Sequence, residues 1–255
     1  MAASALGSDE VRSYYRQILP FFDRELADRG DGELWAWAAG TPAGCRVLEL
    51  GAGTGRATES LARAAGRMVA FDLSPDLIAV ARRRLAAAAN VWLLVADMRE
   101  VALRSRFDLV VAVDDPFVHL TGDEDRERAF ATAARHLAPD GRFILDAAWL
   151  SPEQRAAAGR SEGLVIERGS GGGLLVRETW HCDPETRICF ASFEYRLRGR
   201  TVVQASFPAR LWSIEELESR AGAAGLQVTR LWGDYDRRPW ERAASPRLIA
   251  EMRPA

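Results

Sequence analysis

The chain contains no lysine and has few histidines and cysteines. Of its 255 residues, 34 are basic, all of them arginine; 36 are acidic, three are histidine and three are cysteine. The net charge of −2, without a basic tail, argues against a polyanion such as a nucleic acid as an obligate partner. Cys45, Cys182 and Cys189 form neither a disulfide framework nor a metal-binding spacing, so we expect no metal site.

Two of the cysteines stand close together in the sequence. Cys182 and Cys189 flank Asp183-Pro184-Glu185-Thr186, which is typical of a hairpin turn. A loop of that kind would place the two cysteines opposite each other on neighbouring strands. Because thiols stay reduced in a reducing compartment, we predict two free thiols here.

Long apolar runs are also missing. None approaches the ~20 residues that a membrane-spanning helix needs. The segment Met1–Glu10 has neither a basic stretch nor a sustained apolar stretch, so it does not resemble a secretory signal. A hydrophobic content of 48% and a charged content of 27% are ordinary for a soluble globular protein. We expect a cytoplasmic chain, large enough for one α/β domain with an insertion.

The N-terminal residues have a helical pattern. Between about Asp9 and Ala39 the apolar residues recur at three- and four-residue spacing. The positions that carry this pattern are Val11, Tyr14, Tyr15, Ile18, Leu19, Phe22 and Leu26. Pro20 is expected to kink or divide the stretch because it lacks an amide donor. We predict a helical cover over residues 1–44.

Short apolar runs then alternate with helical patterns. The predicted strands are Arg46–Leu50, Met68–Phe71, Val91–Val95, Phe107–Val113 and Arg142–Ala147. The predicted helices between them are Thr54–Ala65, Pro75–Ala88 and Glu124–Leu137. Near-continuous apolar strands that alternate with helices are typical of a parallel sheet covered on both faces. Residues 45–149 are therefore predicted to form a cofactor-binding core.

The pattern changes after Trp149, where turns at 169–173, 183–184 and 199 separate shorter segments. The strand-like segments are Leu164–Glu167, Leu174–His181, Arg187–Leu197 and Thr201–Ala209. We interpret residues 150–211 as an antiparallel insertion over the substrate side. Within residues 212–255, a helix (Glu215–Ala224) and two strands (Leu226–Trp232 and Arg247–Met252) are predicted to complete the first sheet. The whole chain is thus predicted to be a single doubly wound α/β domain with a seven-stranded sheet.

A glycine-rich turn follows the first predicted strand. In the run Val47–Gly55 three alternate glycines stand between a strand and a helix, which permits positive φ and lets a ligand lie against bare backbone. The rival interpretation is the dinucleotide fingerprint G-x-G-x-x-G, but Arg56 occupies its third glycine position. Glu49, two residues before the first glycine, suits a ligand that carries an ammonium group better than a diphosphate.

Acidic residues end the next two strands. A carboxylate at Asp72 can accept both hydroxyls of a ribose. Asp97 can accept the amino group of an adenine, and Met98 beside it can cover the ring. Each acid alone is equally well explained as a helix N-cap or a solvated loop charge. Together, at successive strand ends, they indicate one adenosyl ligand.

These residues resemble the class I S-adenosylmethionine-dependent methyltransferases, which have a Rossmann-like sheet. The motifs ELGAGTG, FDLSPDL, VADMRE, FDLVVAVDD and LAPDGRFILD follow in order between Cys45 and Ala147. The segment from Leu211 to Asp236 is also similar to bacterial small-molecule methyltransferases of this family. The resemblance implies S-adenosylmethionine as cofactor, rather than a nicotinamide. The cofactor contacts that we predict are Tyr14, Glu49, Gly51, Ala52, Gly53, Asp72, Leu73, Asp97, Met98 and Val113.

The expected reaction is methyl transfer to an N or O atom of a small molecule. A first alternative is a nucleic-acid methyltransferase, since Asp114-Asp115-Pro116-Phe117 partly resembles the D-P-P-[FY] motif of enzymes that methylate adenine. Asp115 replaces the first proline of that motif, and the chain has no basic surplus or target-recognition domain. A second alternative is a non-methylating subunit that keeps the cofactor fold, which the intact glycines and acids disfavour.

Candidate groups for the acceptor follow the fourth strand. Asp114, Asp115 and His119 could each accept a proton, and we predict Asp115 and His119 as the catalytic pair. His119 has the unperturbed pKa closest to neutral. Its alternative role is to pack near the adenosine and hydrogen-bond the backbone.

Aromatic and polar residues elsewhere complete the predicted acceptor site. Trp149 and Trp212 are candidates for the walls of a substrate pocket. The insertion and its exit can supply His181 and Arg210. Of Tyr14 and Tyr15 on the first helix, we predict that one phenol reaches the methionine end of the cofactor or the acceptor. The other tryptophans considered, Trp35, Trp37, Trp92 and Trp232, are assigned to core packing. The expected partners are the small-molecule acceptor and, as an open option, a second copy of the chain.

Overall fold

A computed structural model describes residues 7–27, 29–170, 173–183 and 185–255. The start of the segment Met1–Glu10, the centre of the turn at 169–173, and Pro184 of the predicted hairpin lie outside the described residues. What is described falls into two compact units. The seven-stranded unit comprises Gly30–Phe117, Gly122–Trp149 and Trp212–Ala255, and the four-stranded unit comprises the chain up to Arg29 together with Val118–Thr121 and Leu150–Leu211.

The helices and strands of the described residues follow the predicted order, except that the helix Pro152–Ala158 was not predicted. The α-helices are α1 Ser8–Glu25, α2 Gly32–Ala39, α3 Arg56–Ala62, α4 Pro75–Arg84, α5 Asp123–His136, α6 Pro152–Ala158 and α7 Ile214–Ala223. The strands are β1 Arg46–Leu50, β2 Arg67–Asp72, β3 Val91–Val95, β4 Phe107–Ala112, β5 Leu137–Ala148, β6 Leu164–Ser170, β7 Leu174–Cys182, β8 Ile188–Leu197, β9 Arg200–Arg210, β10 Leu226–Trp232 and β11 Arg247–Pro254. A 3-10 turn, Pro116–His119, follows β4.

The seven-stranded sheet has the order β10-β11-β5-β4-β1-β2-β3. Its five strands from β1 to β5 are parallel, while β11 is antiparallel to β5 and β10 is antiparallel to β11. The central strands are buried on both faces, as in β4, where Leu109, Val110 and Val111 are fully enclosed. The predicted doubly wound sheet is therefore confirmed, and the carboxyl ends of its parallel strands share one edge.

Some element boundaries differ from the sequence-based expectation. β5 begins at Leu137 rather than at the predicted Arg142, so Pro139-Asp140-Gly141 lies within it. A register shift between Phe107 and Leu109 accommodates these residues. α3 begins only at Arg56, because Gly55 is its N-cap and has a left-handed φ of 80°.

The predicted N-terminal helical cover is divided between the units. α1 continues through Pro20 and does not end there. It buries Tyr14 and Ile18 in the core of the four-stranded unit, whereas α2 packs within the seven-stranded unit. No helix of the described residues is both long and apolar enough to cross a membrane.

The four-stranded unit contains the predicted antiparallel insertion. Its sheet has the order β6-β7-β8-β9, and one face buries alternate residues such as Val176, Phe193 and Phe207 with α1. The segment Leu150–Leu211 belongs to this unit together with α1. The description of the whole chain as one domain stays a prediction.

Two expectations about side chains are wrong. Cys182 and Cys189 form a disulfide rather than two free thiols, because the β7–β8 hairpin pairs them directly opposite each other. Trp92 does not pack in the core: 47% of its surface is exposed on the edge strand β3, where the guanidinium of Arg67 lies 5.5 Å from its ring. An edge strand lacks a neighbour to cover one side, so its large apolar residues stay accessible.

Candidate active site

The glycine turn between β1 and α3 leaves its backbone bare. Gly51, Gly53 and Gly55 have φ values of 76°, 56° and 80°, which glycine adopts without strain. A Cβ added at Gly51 would lie 2.5 Å from the Cβ of Pro116, so no other residue fits there without a shift. The methyl group of Met98 lies 3.8 Å from the same point. The structure thus brings the predicted residues Gly51 and Met98 together.

Glu49 is a buried acid beneath this turn. Glu49 is the penultimate residue of β1 and only 1% exposed, and its Oε2 accepts a hydrogen bond of 2.6 Å from the Thr58 hydroxyl. Burial raises the pKa of Glu49 to about 8, against the opposing effects of the Thr58 hydrogen bond and the nearby Arg56 charge. A buried carboxyl with this environment is well suited to an ammonium group, which would replace the lost hydration.

Asp72 connects the glycine turn to the end of β2. Its Oδ2 accepts from the amide of Gly53 at 2.9 Å and its Oδ1 accepts from the amide of Ser74 at 2.8 Å. Burial raises the pKa of Asp72, and the two amide hydrogen bonds oppose that rise. Each carboxylate oxygen can accept a further hydrogen bond. The carboxylate is therefore held in a fixed orientation from which it could receive ribose hydroxyls.

The acid at the end of β3 is more heavily paired. Asp97 accepts hydrogen bonds from the backbone amide and the guanidinium of Arg99, and Arg99 also pairs with Asp125 at 3.0 Å. Burial raises the pKa of Asp97, but the bonds to Arg99 outweigh it, so the pKa is lowered overall. Asp97 is thus ionised and partly exposed beside Met98, which leaves room for one more donor.

The other predicted cofactor residues lie at the same edge of the sheet. The amide of Ala52 donates to the carbonyl of Phe71 at 2.9 Å, and Val113 is buried immediately after β4. Leu73 is half-buried between Asp72 and Ser74. Bare glycine backbone, a buried acid at Glu49 and an oriented acid at Asp72 together suit an adenosyl ligand with an ammonium group.

Two consecutive aspartates follow Val113 in an unusual conformation. Asp114 and Asp115 have φ values of 60° and 52°, which cost non-glycine residues roughly 1–2 kcal/mol each. The carboxyl group of Asp115 is buried and accepts from the amide of Ala148 at 3.0 Å and from the indole of Trp212 at 3.4 Å. Burial raises the pKa of Asp115 to about 7, opposed mainly by the charge of Arg126.

Sequence reasoning missed three residues of the hydrogen-bond network around this turn. Asp146 of β5 is fully buried and accepts from the amide of Asp114 at 3.0 Å. Arg247 and Tyr235 both donate to the Asp146 carboxylate. A local signal existed for Asp146, an acid inside the apolar run that forms β5. No local signal linked it to Arg247 or Tyr235, which are distant in the sequence.

The two tryptophans predicted for the substrate pocket are enclosed. Trp212 has no exposed surface, and the guanidinium of Arg126 lies 3.9 Å from its ring. Trp149 is 6% exposed, donates to the carbonyl of Arg242 at 3.1 Å and packs edge-on against Trp240. In the structure both therefore pack within the seven-stranded unit, and Trp212 supports Asp115.

The four-stranded unit holds a histidine–tyrosine pair. The hydroxyl of Tyr15 and Nε2 of His119 are 2.8 Å apart, and the His119 ring packs 4.6 Å from that of Phe207. Burial lowers the pKa of His119 to about 4, so the imidazole is neutral at pH 7. Nδ1 of His119 is buried and has no hydrogen-bond partner among the described residues. A buried nitrogen of this kind is able to form one further hydrogen bond.

The remaining predicted residues of this unit differ in burial and in their contacts. Tyr14 is buried between Tyr15 and Phe207, and burial raises the pKa of its phenol well above the usual value. Arg210 donates to the carbonyl of Thr121 at 3.0 Å. His181 is exposed near the end of β7. Across the described residues, no three metal-binding side chains cluster around one point.

Comparisons with known proteins agree with the family and the fold that the sequence predicts. The sequence matches the methyltransferase-domain family over residues 47–141. It is 30% identical over 241 residues to the dTDP-3-amino-3,6-dideoxy-alpha-D-glucopyranose N,N-dimethyltransferase of Streptomyces fradiae, which covers 89% of this chain and 91% of that protein. It is 29% identical over 208 residues to the cypemycin N-terminal methyltransferase of a Streptomyces species, covering 81% and 82% respectively.

Solved structures have the same fold. The CcbJ methyltransferase from Streptomyces caelestis superposes with a TM-score of 0.81 at 23% identity, covering 95% of this chain and 98% of that one. The fold and the residues at its edge define a transferase that uses an adenosyl cofactor. The chain belongs to the class I S-adenosylmethionine-dependent methyltransferases, and S-adenosylmethionine is its cofactor. The predicted reaction, methyl transfer to an N or O atom of a small molecule, is confirmed, and no comparison supports either alternative.

We expect calorimetry to show binding of S-adenosylmethionine and S-adenosylhomocysteine but not of NAD. Replacement of Asp72 by alanine should weaken binding by about 1–3 kcal/mol, because charge-assisted hydrogen bonds to the ribose are lost. Asp140→Ala, an exposed aspartate within β5, is the matched control and should bind normally. Tight NAD binding, or normal cofactor affinity in Asp72→Ala, would contradict the assignment.

Cofactor binding should also release a proton from Glu49. At pH 7 a carboxyl with a pKa of about 8 is mostly protonated, and an adjacent ammonium would ionise it. The binding enthalpy should then differ between phosphate and Tris buffers by the heat of about one proton. Glu49→Gln should bind more weakly and without this buffer dependence. Equal enthalpies for the wild type in both buffers would show that Glu49 does not ionise on binding.

Acid should destabilise the chain through His119. Its pKa is about 4 when folded and about 6.5 when unfolded, so the unfolded state binds the proton first as the pH falls. Stability from His119 is complete above pH 6.5 and decreases toward pH 4, by about 2 kcal/mol between pH 8 and pH 5. Urea unfolding of the wild type and His119→Gln across this range measures it. The difference between them should shrink in acid, and a constant difference would mean that His119 titrates normally.

Proposed function

We propose that the chain methylates the amino nitrogen of a compact polar metabolite, and we favour an amino sugar carried on a nucleotide. The observation that carries the proposal is the neutral His119, with its buried and unpartnered Nδ1. Both relatives described above are named for acceptors with an amino group, a dTDP-linked amino sugar and the N-terminus of cypemycin.

The cofactor determines how little chemistry the chain must supply. When bound, S-adenosylmethionine supplies a methyl group on a leaving group that is already activated. The residues then have to hold the acceptor nitrogen in line, and such positioning can supply up to ~7–11 kcal/mol. We assign the ammonium of the cofactor to Glu49, its ribose to Asp72 and its adenine to Asp97 with Met98. The bare backbone of the glycine turn, including Gly53 and Ala52, would lie against the cofactor.

His119 suits an amine better than a hydroxyl group. In the tautomer whose Nε2–H donates to the oxygen of Tyr15, Nδ1 has a lone pair that can accept an N–H of the acceptor. An amine attacks as its free base and needs only this orientation. A hydroxyl would have to lose its proton as it reacts, and an imidazole with a pKa of about 4 is a weak base for that purpose. We therefore favour N-methylation over O-methylation.

Other residues of the predicted acceptor site keep secondary assignments. Asp115 is the second candidate for a proton acceptor, because its pKa of about 7 lies near the working pH. His181 and Arg210 could contact polar groups of the acceptor. Trp149 and Trp212 are enclosed and would support the residues of the acceptor site. We also propose the cytoplasm as the compartment and leave a second copy of the chain as an optional partner.

The choice of acceptor can be tested with matched substrates. We expect methylation of dTDP-3-amino-3,6-dideoxy-α-D-glucopyranose and little or none of its 3-hydroxy counterpart. The transfer of a labelled methyl group from the cofactor measures both reactions. His119→Ala should lower turnover by about 10²-fold, because the acceptor nitrogen loses its orientation, with nearly unchanged affinity for S-adenosylhomocysteine. Tyr15→Phe, which removes only the hydroxyl beside Nε2, should cause a smaller loss. Preference for the hydroxyl substrate, or normal turnover in His119→Ala, would contradict the proposal.

Tyr14 is proposed to contact the cofactor, and its hydroxyl can be tested while its ring is kept. Tyr14→Phe keeps the ring that packs against Phe207. Loss of one hydrogen bond should weaken cofactor affinity by about 0.5–1.5 kcal/mol. Phe21→Leu, a change in the same helix and core that removes no hydroxyl, is the control. If both variants bind the cofactor equally well, Tyr14 has only a packing role.

A further inference from the structure

The Asp114–Asp115 pair, hereafter the aspartate turn, has a conformation that the sequence alone does not favour. Both residues have positive φ values, 60° and 52°, although neither is glycine. Such conformations persist only where surrounding contacts fix them, and they are concentrated at functional sites. The turn begins directly after Val113, at the carboxyl end of β4, where ligands bind in open α/β sheets. What fixes this turn therefore bears on the reaction.

One residue of the neighbouring strand holds both amides of the turn. The Oδ2 atom of Asp146 accepts from the Asp114 amide at 3.0 Å. The backbone carbonyl of Asp146 accepts from the Asp115 amide at 2.7 Å. The side chain and the main chain of one β5 residue thus accept hydrogen bonds from two consecutive amides. Both bonds form while Asp114 and Asp115 have positive φ values.

Two residues from the C-terminal part of the chain in turn donate hydrogen bonds to Asp146. The Nε of Arg247, at the start of β11, donates to Oδ1 of Asp146 at 2.5 Å, and the hydroxyl of Tyr235 donates to Oδ2 at 3.2 Å. The Nη2 of Arg247 also reaches Oδ1 of Asp114 at 3.3 Å. Asp146 is fully buried, so these contacts replace its hydration.

We propose that Asp146 is a positioning residue for methyl transfer. Its carboxylate, oriented by Arg247 and Tyr235, keeps the aspartate turn in the left-handed conformation and so fixes the edge of β4 for the acceptor. The kinetic part of this inference rests on the proposed function, whereas the conformational part does not. Asp146 itself touches neither substrate nor cofactor in this assignment.

The hydrogen bonds indicate which substitution tests the proposal. Asp146 uses both carboxylate oxygens as acceptors, one toward Arg247 and the other toward Asp114 and Tyr235. An asparagine keeps the size of the side chain but offers only one oxygen. The charged guanidinium of Arg247 makes the shorter bond and therefore keeps the remaining oxygen. In Asp146→Asn the amide nitrogen then faces Asp114, and the Asp114 amide loses its acceptor.

The matched control is another buried acid of the same sheet. Glu251 on β11 is 1% exposed and pairs with Arg142 at 3.3 Å, without contact to the aspartate turn among the described interactions. Glu251→Gln removes a buried charge of the same kind. It measures the general effect of such a loss on stability and rate.

We expect two effects of Asp146→Asn. Exchange of the Asp114 amide proton, followed by NMR, should accelerate by at least about tenfold, since it loses its acceptor. Turnover should fall on the order of 10- to 100-fold through misplacement, with nearly unchanged affinity for S-adenosylhomocysteine. Adding Asp114→Gly should restore part of the turnover, because glycine adopts positive φ without strain. Glu251→Gln should leave amide exchange and turnover close to those of the wild type.

Each other result overturns the positioning role. Unchanged exchange at Asp114, unchanged turnover, an equal loss in Glu251→Gln, or no restoration by glycine would do so. If Asp146→Asn does not fold, Tyr235→Phe removes a single donor to the same carboxylate and should act in the same direction. If the wild type does not methylate the amino sugar, the proposed function fails. The exchange measurement then still decides whether Asp146 holds the turn, and turnover is measured on the acceptor identified with labelled cofactor.

Discussion

The burial of acids at the carboxyl edge of the parallel sheet is the constraint on which the rest of the site depends. Burial raises the pKa of Glu49, Asp72, Asp115 and Asp146, because a carboxylate removed from water is costly unless donors replace its hydration. The chain supplies different donors to each: a hydroxyl, a pair of amides, an amide with an indole, and a guanidinium with a phenol. The glycine turn supplies one of these donors, the end of β5 another and the closing strand β11 a third.

The sequence predicted the acids whose signal is local. Glu49 stands two residues before a glycine turn, and Asp72 ends the following strand, so spacing alone brings them to one edge of a parallel sheet. The strands were equally accessible to prediction, because a strand buried on both faces is a short apolar run between polar residues. The same reasoning located the antiparallel segment, whose alternating pattern reflects one buried and one exposed face, as in β7.

What the sequence could not predict depends on contacts between distant residues. Asp146 is the last residue of the motif LAPDGRFILD, yet no local pattern links it to its partners Arg247 and Tyr235. Trp92 was assigned to the core because tryptophans usually pack there, but strand order placed it on a sheet edge. The sequence correctly predicted that Cys182 and Cys189 lie opposite each other on neighbouring strands. Only the chemical outcome was wrong, because it was inferred from the compartment rather than from the hairpin.

The long separation between Arg247 and its partners has a consequence for how the chain folds. Arg247 lies 101 residues from Asp146 and 133 from Asp114 along the sequence, whereas Glu49 and Thr58 are nine apart. Contacts that close long loops carry a larger entropic cost and form late, whereas local ones can form as soon as the segment exists. A growing or refolding chain therefore acquires the geometry around its glycine turn first. The end of β4 acquires its final shape only when the last strand joins the sheet.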